Sequence, residues 1–543
     1  MSQSAPVLSV KNLRLTVKRL GLEVVAGVSF AVYPGETVAL LGESGAGKST
    51  LFKAILQLLN NSQWDQEGEI LFGSTQVNGL SPKELEQVRG PQVRCIFQEP
   101  ALSLNPSLLI DRQLSEAVLA VEPGLNSTEV EARIDLALTE AGLSPSLVKG
   151  KYPAEVSGGQ RQRVGIAMSL CAKAALLLAD EPSNSLDSVT VTGLVESLLK
   201  LKAQGRIQSL LIVTHDLGVL RALGCERVLF MHQGELFEVG NIQEVLSNPR
   251  HPKLAEIVGQ IKEIRALEKT VQKAKVLEDQ EPLVSAKGVS FAYAKKGLWK
   301  KPGVPTLKDV EFQLAPGQFV GLVGNSGSGK STLVKLLTRE LEDYGGDLKF
   351  HGKSLVEHGL RKNRSFFFRN LQTIFQEPAD TFDPSQTLGE NLTECFTALG
   401  LGSEDILSIF DQLLGRLLLD KRMLAERPRN LSGGQKQRFA LARAFGVKPL
   451  LLLADEPFNN LDLIAQQRLV ELMLERKADP LHPLSCILVS HDIGLVSRIC
   501  DQVWVVDQGR IVESGTVEEV LDRPKEAATL RLIHAAKALG SFG

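Results

Sequence analysis

The feature that most constrains this chain is that it repeats itself. GESGAGKST at Gly42–Thr50 returns as GNSGSGKST at Gly324–Thr332, and IFQEP at Ile96–Pro100 returns at Ile374–Pro378. SGGQRQR at Ser157–Arg163 returns as SGGQKQR at Ser432–Arg438, LLLADEP at Leu176–Pro182 returns at Leu451–Pro457, and THD at Thr214–Asp216 returns as SHD at Ser490–Asp492. The spacings nearly agree: Lys48 and Lys330 are 282 residues apart, Ser157 and Ser432 275, His215 and His491 276. Blocks that recur in one order at a near-fixed offset mean two copies of one domain. We expect a first domain over 1–254, a join over 255–283 and a second domain over 284–543. The join contains IKEIRALEKTVQKAKVLEDQ, which reads equally as a helical tether or as a solvated linker.

Each copy reads as α/β. Apolar strand-like runs, ETVALLG and QFVGLVG, lead into Gly-rich turns, and the first turn continues into the helical stretch KSTLFKAILQLL. Strand, Gly-rich loop and helix in that order is the setting a phosphate-binding loop requires. Glycines there allow consecutive N–H groups to turn inward around phosphate oxygens, and the helix start adds its positive end. The candidate phosphate contacts are Gly42, Ser44, Gly45, Gly47, Lys48, Ser49 and Thr50, and in the second copy Gly324, Ser326, Gly327, Gly329, Lys330, Ser331 and Thr332. Lys48 and Lys330 have the reach for the β- and γ-phosphates, and Ser49 and Ser331 have a hydroxyl for Mg²⁺.

The LLLAD runs deliver Asp180 and Asp455 from the end of a buried strand, where a carboxylate holds Mg²⁺ through its water shell. The next residues, Glu181 and Glu456, are candidates for the general base that polarises the attacking water. Gln98 and Gln376 follow further apolar runs, and their amides suit Mg²⁺ or the water. His215 and His491 follow the strand-like runs LLIVT and CILVS, where a ring contacts the γ-phosphate and orients the water. Ser157, Gly158, Gly159 and Gln160, and again Ser432, Gly433, Gly434 and Gln435, read as helix starts that offer a hydroxyl and N–H groups to an anion. Each copy already has a phosphate loop, so the economical assignment is that each of these tips faces the nucleotide of the other copy.

Together these blocks resemble the ABC ATPase family over nearly the whole chain. The resemblance implies two tandem P-loop NTPase domains, each with a RecA-like α/β core, an antiparallel β subdomain and a helical subdomain. It implies ATP and Mg²⁺ as ligands, and a head-to-tail pair of cassettes that sandwiches two ATP molecules, Lys48 sharing a site with Ser432 and Lys330 with Ser157. QEPALSLNP at Gln98–Pro106, KYPAEVSGGQRQR and NPRHP at Asn248–Pro252 are similar to the ATP-binding subunits of oligopeptide, dipeptide and nickel importers. That likeness implies a bacterial importer of peptides, peptide-like compounds, nickel or metal chelates. Its implied partners are two integral-membrane permease subunits and a solute-binding protein, with the chain peripheral on the cytoplasmic face of the inner membrane. The second half matches more loosely, with QEPADTFDP and RPKEA, and Val156 stands where leucine is usual. The aromatic residue that stacks on adenine in the family falls on Tyr293 in the second copy and on Val17 in the first. A missing stack is worth about 1–2 kcal/mol by analogy with base–aromatic contacts, so the Lys48 site is expected to bind ATP more weakly.

A rival class is the twin-cassette ATPase that acts on ribosomes without a membrane partner. The basic, Phe-rich stretch Arg361–Arg369 suits either RNA or a packed helix, but a net charge of −2 gives no general footprint for nucleic acid, and none is expected as a partner. The six cysteines form no CxxC pair, so no zinc site is indicated. The N-terminus lacks the blocks of a signal peptide. No apolar run approaches the roughly 20 residues of a spanning helix, so a role at a membrane requires docking on partners.

Overall fold

The computed structural model describes residues 5–42, 45–97, 103–183, 186–214, 216–252, 254–256, 258–259, 281–293, 305–358, 361–375, 381–459, 461 and 463–539. Ser44, Gln98, His215, Gln376 and residues 260–280 of the expected join lie outside these. Contacts group the chain into two compact units, Met1–Leu186 with Thr190–Val258, and Asp187–Val189 with Gly259–Gly543.

The first unit contains β1 (Leu8–Val17), β2 (Leu22–Val32), β3 (Thr37–Gly42), β4 (Trp64–Phe72), β5 (Thr75–Gln76), β6 (Val93–Ile96), β7 (Ala174–Asp180), β8 (Ile207–Val213), β9 (Arg227–His232) and β10 (Glu235–Asn241). The second contains β11 (Val284–Ala292), β12 (Pro305–Leu314), β13 (Phe319–Val323), β14 (Gly345–Phe350), β15 (Lys353–Ser354), β16 (Leu371–Ile374), β17 (Leu451–Asp455), β18 (Ser485–Val489), β19 (Gln502–Asp507) and β20 (Arg510–Thr516). In each unit these strands form two sheets. One is mixed, ordered β6-β7-β8-β3-β9-β10 in the first unit and β16-β17-β18-β13-β19-β20 in the second. Five strands run parallel and the last, β10 or β20, is antiparallel to its neighbour. The other sheet is antiparallel, β2-β1-β4-β5 or β12-β11-β14-β15.

The sequences of the strands explain the two kinds of sheet. A parallel sheet is covered on both faces, so its strands are apolar runs. β17 (LLLAD) and β18 (SCILV) are buried at every residue, as is β3 except at Gly42. β11 alternates instead, with Val284, Ala286, Val289 and Phe291 buried and their neighbours less so, the pattern of a strand with one covered face. The consequence for function is positional. The parallel strands end together, so β3, β7 and β8 carry Gly42, Asp180 and Val213 to one edge, and β13, β17 and β18 repeat this.

A helical layer completes each unit: Ile110–Leu119, Ser127–Glu140 and Gly158–Leu170 pack together in the first, and Leu388–Ala398, Ser403–Arg416 and Gly433–Gly446 in the second. Their starts are written locally. Asn126 with Glu129, and Thr387 with Glu390, close reciprocal capping boxes. The expected domain classes are all present: α/β core, antiparallel β layer and helical layer, twice.

Two motifs become structural features. The NPRHP segment is held because the Glu238 carboxylate accepts from the backbone N–H of Arg250 (3.2 Å) and His251 (3.0 Å). The dissimilar RPKEA is held in the same way, by Glu513 accepting from Lys525 (2.9 Å) and Glu526 (3.1 Å). The Phe-rich stretch is helix Arg361–Asn370, whose Phe367 is fully buried edge-on against Phe350, with ring centroids 5.8 Å apart. Among the described residues no helix is long and apolar enough to cross a membrane.

Candidate active site

The Gly-rich loops are built around the end of β3 or β13 and the start of helix Lys48–Ile55 or Lys330–Leu337. Gly42 and Gly324 cannot carry a side chain: a Cβ would lie 2.2 Å from the carbonyl oxygen of Met231 or Val506. Gly47 and Gly329 hold left-handed backbone, φ 99° and 114°, and start the helices with no side-chain cap. Neither N-cap residue offers a side-chain acceptor to the first turn, which suits an anion cradle. The lysines already lie across it. Lys48 Nζ donates to Gly42 O at 2.8 Å, and Lys330 Nζ to Gly324 O at 2.7 Å and Asn325 O at 2.9 Å. Burial pushes the Lys330 pKa down, against the pull of Glu456 and Asp455, so its charge is poorly solvated and suited to a phosphate.

The carboxylates sit beside the loops. Asp180 and Asp455 are 7% and 8% exposed, and each is hydrogen bonded to the serine of its own loop, Ser49 or Ser331. Burial lifts both acids. Asp455 rises to about 6, with the neighbouring Glu456 adding to the effect of burial and Ser331 and Lys330 opposing it. Oδ1 of Asp180 is buried without a hydrogen-bond partner. A buried carboxylate with one lone oxygen, touching a serine hydroxyl at a phosphate loop, is a donor set that fits a hydrated divalent cation. The residues present therefore fit both ATP and Mg²⁺.

Glu181 and Glu456 hold left-handed backbone, φ 46° and 50°, a conformation uncommon outside glycine. It persists because their N–H groups are tied to neighbouring strands, Glu181 to Val213 O at 2.8 Å and Glu456 to Val489 O at 3.0 Å. Strain of about 1–3 kcal/mol is held at the residue that follows Asp180 or Asp455. In the second unit Glu456 Oε2 lies 3.0 Å from His491 Nδ1. Burial works against the charged ring, but the Glu456 carboxylate outweighs it and, with Asp492, lifts the His491 pKa to about 9 from 6.5. The folded chain thus holds this proton more tightly than the unfolded chain. The pair's stabilisation is complete below about pH 6.5 and is lost as pH rises to about 9. It is worth on the order of 3 kcal/mol, the free-energy equivalent of that displacement. Thermal unfolding of the second unit is expected to weaken across that window in the native chain. With Glu456→Gln that pH slope should flatten; an unchanged slope would assign it elsewhere.

The Ser-Gly-Gly tips are ordered helix starts. Ser157 Oγ accepts from Gln160 N at 3.3 Å while Ser157 N donates to Gln160 Oε1 at 2.9 Å. Ser432 and Gln435 repeat both bonds, at 3.3 and 2.9 Å. Each serine oxygen is thus used as a cap, and its O–H is the group left to donate outward. Ser157 and Ser432 are exposed. Among the described residues, no hydrogen bond joins either serine to the phosphate loop of its own unit.

The structure therefore gathers Lys330, Ser331, Asp455, Glu456 and His491 at one strand edge, and Lys48, Ser49, Asp180 and Glu181 at the other. Tyr293 is 46% exposed, with its hydroxyl 3.4 Å from Thr332 Oγ1, beside the loop helix; its ring packs edge-on against Phe291 at 4.9 Å. Val17 ends β1 in the register opposite Leu22. Two contributors were not singled out from the sequence. Asp492 caps the helix after His491 by accepting from Leu495 N at 3.0 Å, and Asp216 does the same with Gly218 N at 2.8 Å. Gln437, 1% exposed, donates to Pro457 O at 3.0 Å and so ties the signature helix to the turn that carries Glu456. Both signals lay in the repeat: the aspartate of THD and SHD, and the second glutamine of SGGQ-x-Q.

Comparison with known proteins places these features in a wider group. A family model described as ABC transporter matches residues 25–184 and 307–459. The peptidoglycan transport ATP-binding protein YejF of Agrobacterium fabrum is 34% identical over 543 residues, covering 98% of this chain and 97% of that protein. The glutathione import ATP-binding protein GsiA of Salmonella paratyphi A is 32% identical over 565 residues, covering 98% and 90%. Among solved structures, an ATP-binding subunit of an ABC transporter aligns with a TM-score of 0.40 and 27% identity, over 47% of this chain and 99% of that one.

Proposed function

Because this chain belongs to the ABC transporter family and couples ATP hydrolysis to transport, we propose that it is the motor of an importer for peptide-like compounds. The observation that carries the cargo class is the alignment of both cassettes, over 98% of the chain, with ATP-binding proteins named for peptidoglycan transport and glutathione import. The domains are assigned to 1–254 and 284–543, joined by 255–283. Partners are two integral-membrane permease subunits and a solute-binding protein, and the chain is peripheral on the cytoplasmic face of the membrane. Mass spectrometry of the native complex should find membrane subunits with it. Ribosomal proteins in their place would refute the proposal.

The site residues divide the work. The loop N–H groups and Lys48 or Lys330 hold the β- and γ-phosphates. Asp180 with Ser49, and Asp455 with Ser331, would hold Mg²⁺, joined by Gln98 and Gln376; the ion would supply charge neutralisation at the phosphate oxygens. Glu181 and Glu456 accept the proton of a water whose oxygen attacks the γ-phosphorus as the bond to the β–γ bridging oxygen breaks. His491, 3.0 Å from Glu456, contacts the γ-phosphate and orients the water, and His215 is assigned the same part. The Ser157 and Ser432 tips donate to the triphosphate held by the opposite cassette, so closure on ATP and reopening after hydrolysis supply the stroke.

Tyr293 is the adenine platform of the Lys330 site, and Val17 offers no ring at the other. Tyr293→Ala is expected to weaken nucleotide at the Lys330 site by about 1–2 kcal/mol, roughly 5- to 30-fold. Titrations of the Lys48→Ala and Lys330→Ala chains read the sites separately; equal affinities would contradict the assignment.

A further inference from the structure

The first unit has a second place where charge and space meet. At the edge of the mixed sheet where β3, β7 and β8 begin lies a cavity of about 550 Å³. Its lining includes Gly35, Lys173, Lys202, Arg206 and Gln208. β3 runs from this edge to Gly42, so the cavity lies about 17 Å from the nucleotide loop of its own unit, at roughly 3.3 Å per residue. The volume is that of a small-molecule site, about 300–1,000 Å³.

Every ionisable residue that lines the cavity is basic. Among the described residues neither Lys173 nor Lys202 has a carboxylate at ion-pair distance. Lys202 Nζ donates to Thr37 Oγ1 at 2.7 Å, and burial pushes its pKa down, so the ammonium is short of solvation. Arg206 is 5% exposed; it donates to Leu170 O at 2.8 Å, lies 3.4 Å from Glu140 Oε2, and its Nε has no acceptor. Glu140 pairs with Arg206, and Glu226 and Glu36 act on Lys202 only from beyond ion-pair distance, so basic residues around an open volume suit an incoming anion.

The second unit shows what the same place looks like when it is closed. Gly35 and Gly317 correspond, for each N–H donates to a serine of the neighbouring strand, Ser209 at 3.2 Å and Ser485 at 2.8 Å. The residues before those serines are Arg206-Ile207-Gln208 in one copy and His482-Pro483-Leu484 in the other. Pro483 packs 3.3 Å from where a Gly317 Cβ would stand. Lys477, the counterpart of Lys202, is neutralised by Asp501 at 2.6 Å in a pair whose side chains are 9% and 11% exposed. The two copies share a scaffold, and only in the first does the lysine at this helix end, Lys202 against Lys477, have no carboxylate at ion-pair distance.

We propose that this cavity binds a small anion carrying at least two negative charges on phosphate or carboxylate groups, at a site distinct from the nucleotide loop. The proposal is independent of the cargo assignment.

The test uses the full-length chain with Lys48→Ala and Lys330→Ala, which weakens anion binding at the loops. Calorimetric titration in Mg²⁺-free buffer is done with pyrophosphate and with citrate. The expected result is one site per chain with a Kd below about 1 mM for at least one probe; which probe binds separates phosphate from carboxylate chemistry. Adding Lys173→Glu with Lys202→Met should weaken binding about tenfold or more. Lys173 is exposed, so Lys173→Glu alone leaves the fold intact and should weaken binding about threefold or more. Lys448→Glu, at the matching position of the second unit, should change nothing. No binding of either probe overturns the proposal, and so does binding that the Lys173 and Lys202 changes leave intact or the Lys448 change abolishes.

Discussion

Replacing Glu181 and Glu456 together by glutamine lowers ATP turnover by about 10²–10⁴-fold while ATP still binds, as expected when a positioned general base is removed. The size of the effect follows from what each carboxylate does. In the proposed role it accepts the water's proton, and an amide of the same shape cannot. The binding side of the site is left whole, because the loops, the lysines and Asp180 and Asp455 do not change. The held φ of 46° and 50° aims each glutamate from the strand end, and an isosteric amide keeps that aim. Single replacements should each lower turnover sharply, since both copies carry lysine, aspartate and glutamate. Turnover is read by phosphate release and binding by a fluorescent nucleotide; a double variant with undiminished phosphate release would exclude both residues as the bases.

The second large effect is expected at the signature tips. Gly159→Asp with Gly434→Asp should cut turnover by about 10²–10³-fold, the loss typical of one preorganised donor to a developing anion. The substitution puts a carboxylate at the helix start proposed to face the opposite cassette's triphosphate, so repulsion would replace a hydrogen bond. Gly434 is buried and Gly433 exposed, so the change at Gly434 also tests packing. Gly433→Asp, which leaves that packing alone, separates the two causes. Nucleotide binding to the open loops should survive in both variants. If turnover also survives, the tips have no part in hydrolysis.

Much of this site was legible because its chemistry is local in sequence. A loop that must wrap a phosphate needs glycines where backbone crowds backbone, and Gly42 and Gly324 stand against carbonyl oxygens at 2.2 Å from a would-be Cβ. A strand buried on both faces needs an unbroken apolar run, which is why LLLAD announced β17 and the aspartate at its end. Repetition then raised each short block above chance. What could not be read is what depends on fixed three-dimensional detail. The left-handed backbone at Glu181 and Glu456 is imposed by hydrogen bonds to β8 and β18, far along the chain. The Gln437 bond to Pro457 crosses from the helical layer to the core. The common tail-holding glutamates, Glu238 and Glu513, were hidden because the segments they bind, NPRHP and RPKEA, use backbone N–H groups that any sequence supplies. The cationic cavity was equally silent, since Lys173 and the Lys202–Arg206 stretch are separate in sequence and meet only at the sheet's edge.

The motor described above rests on reciprocity: each half lends its helix tip to the ATP of the other. The most direct measurement is a structure of the Glu181→Gln, Glu456→Gln chain loaded with ATP and Mg²⁺. Hydroxyls of Ser432 and Ser157 at about 3 Å from the γ-phosphates on Lys48 and Lys330, respectively, would bear the reading out. Two loaded loops with both serines facing only solvent would contradict it.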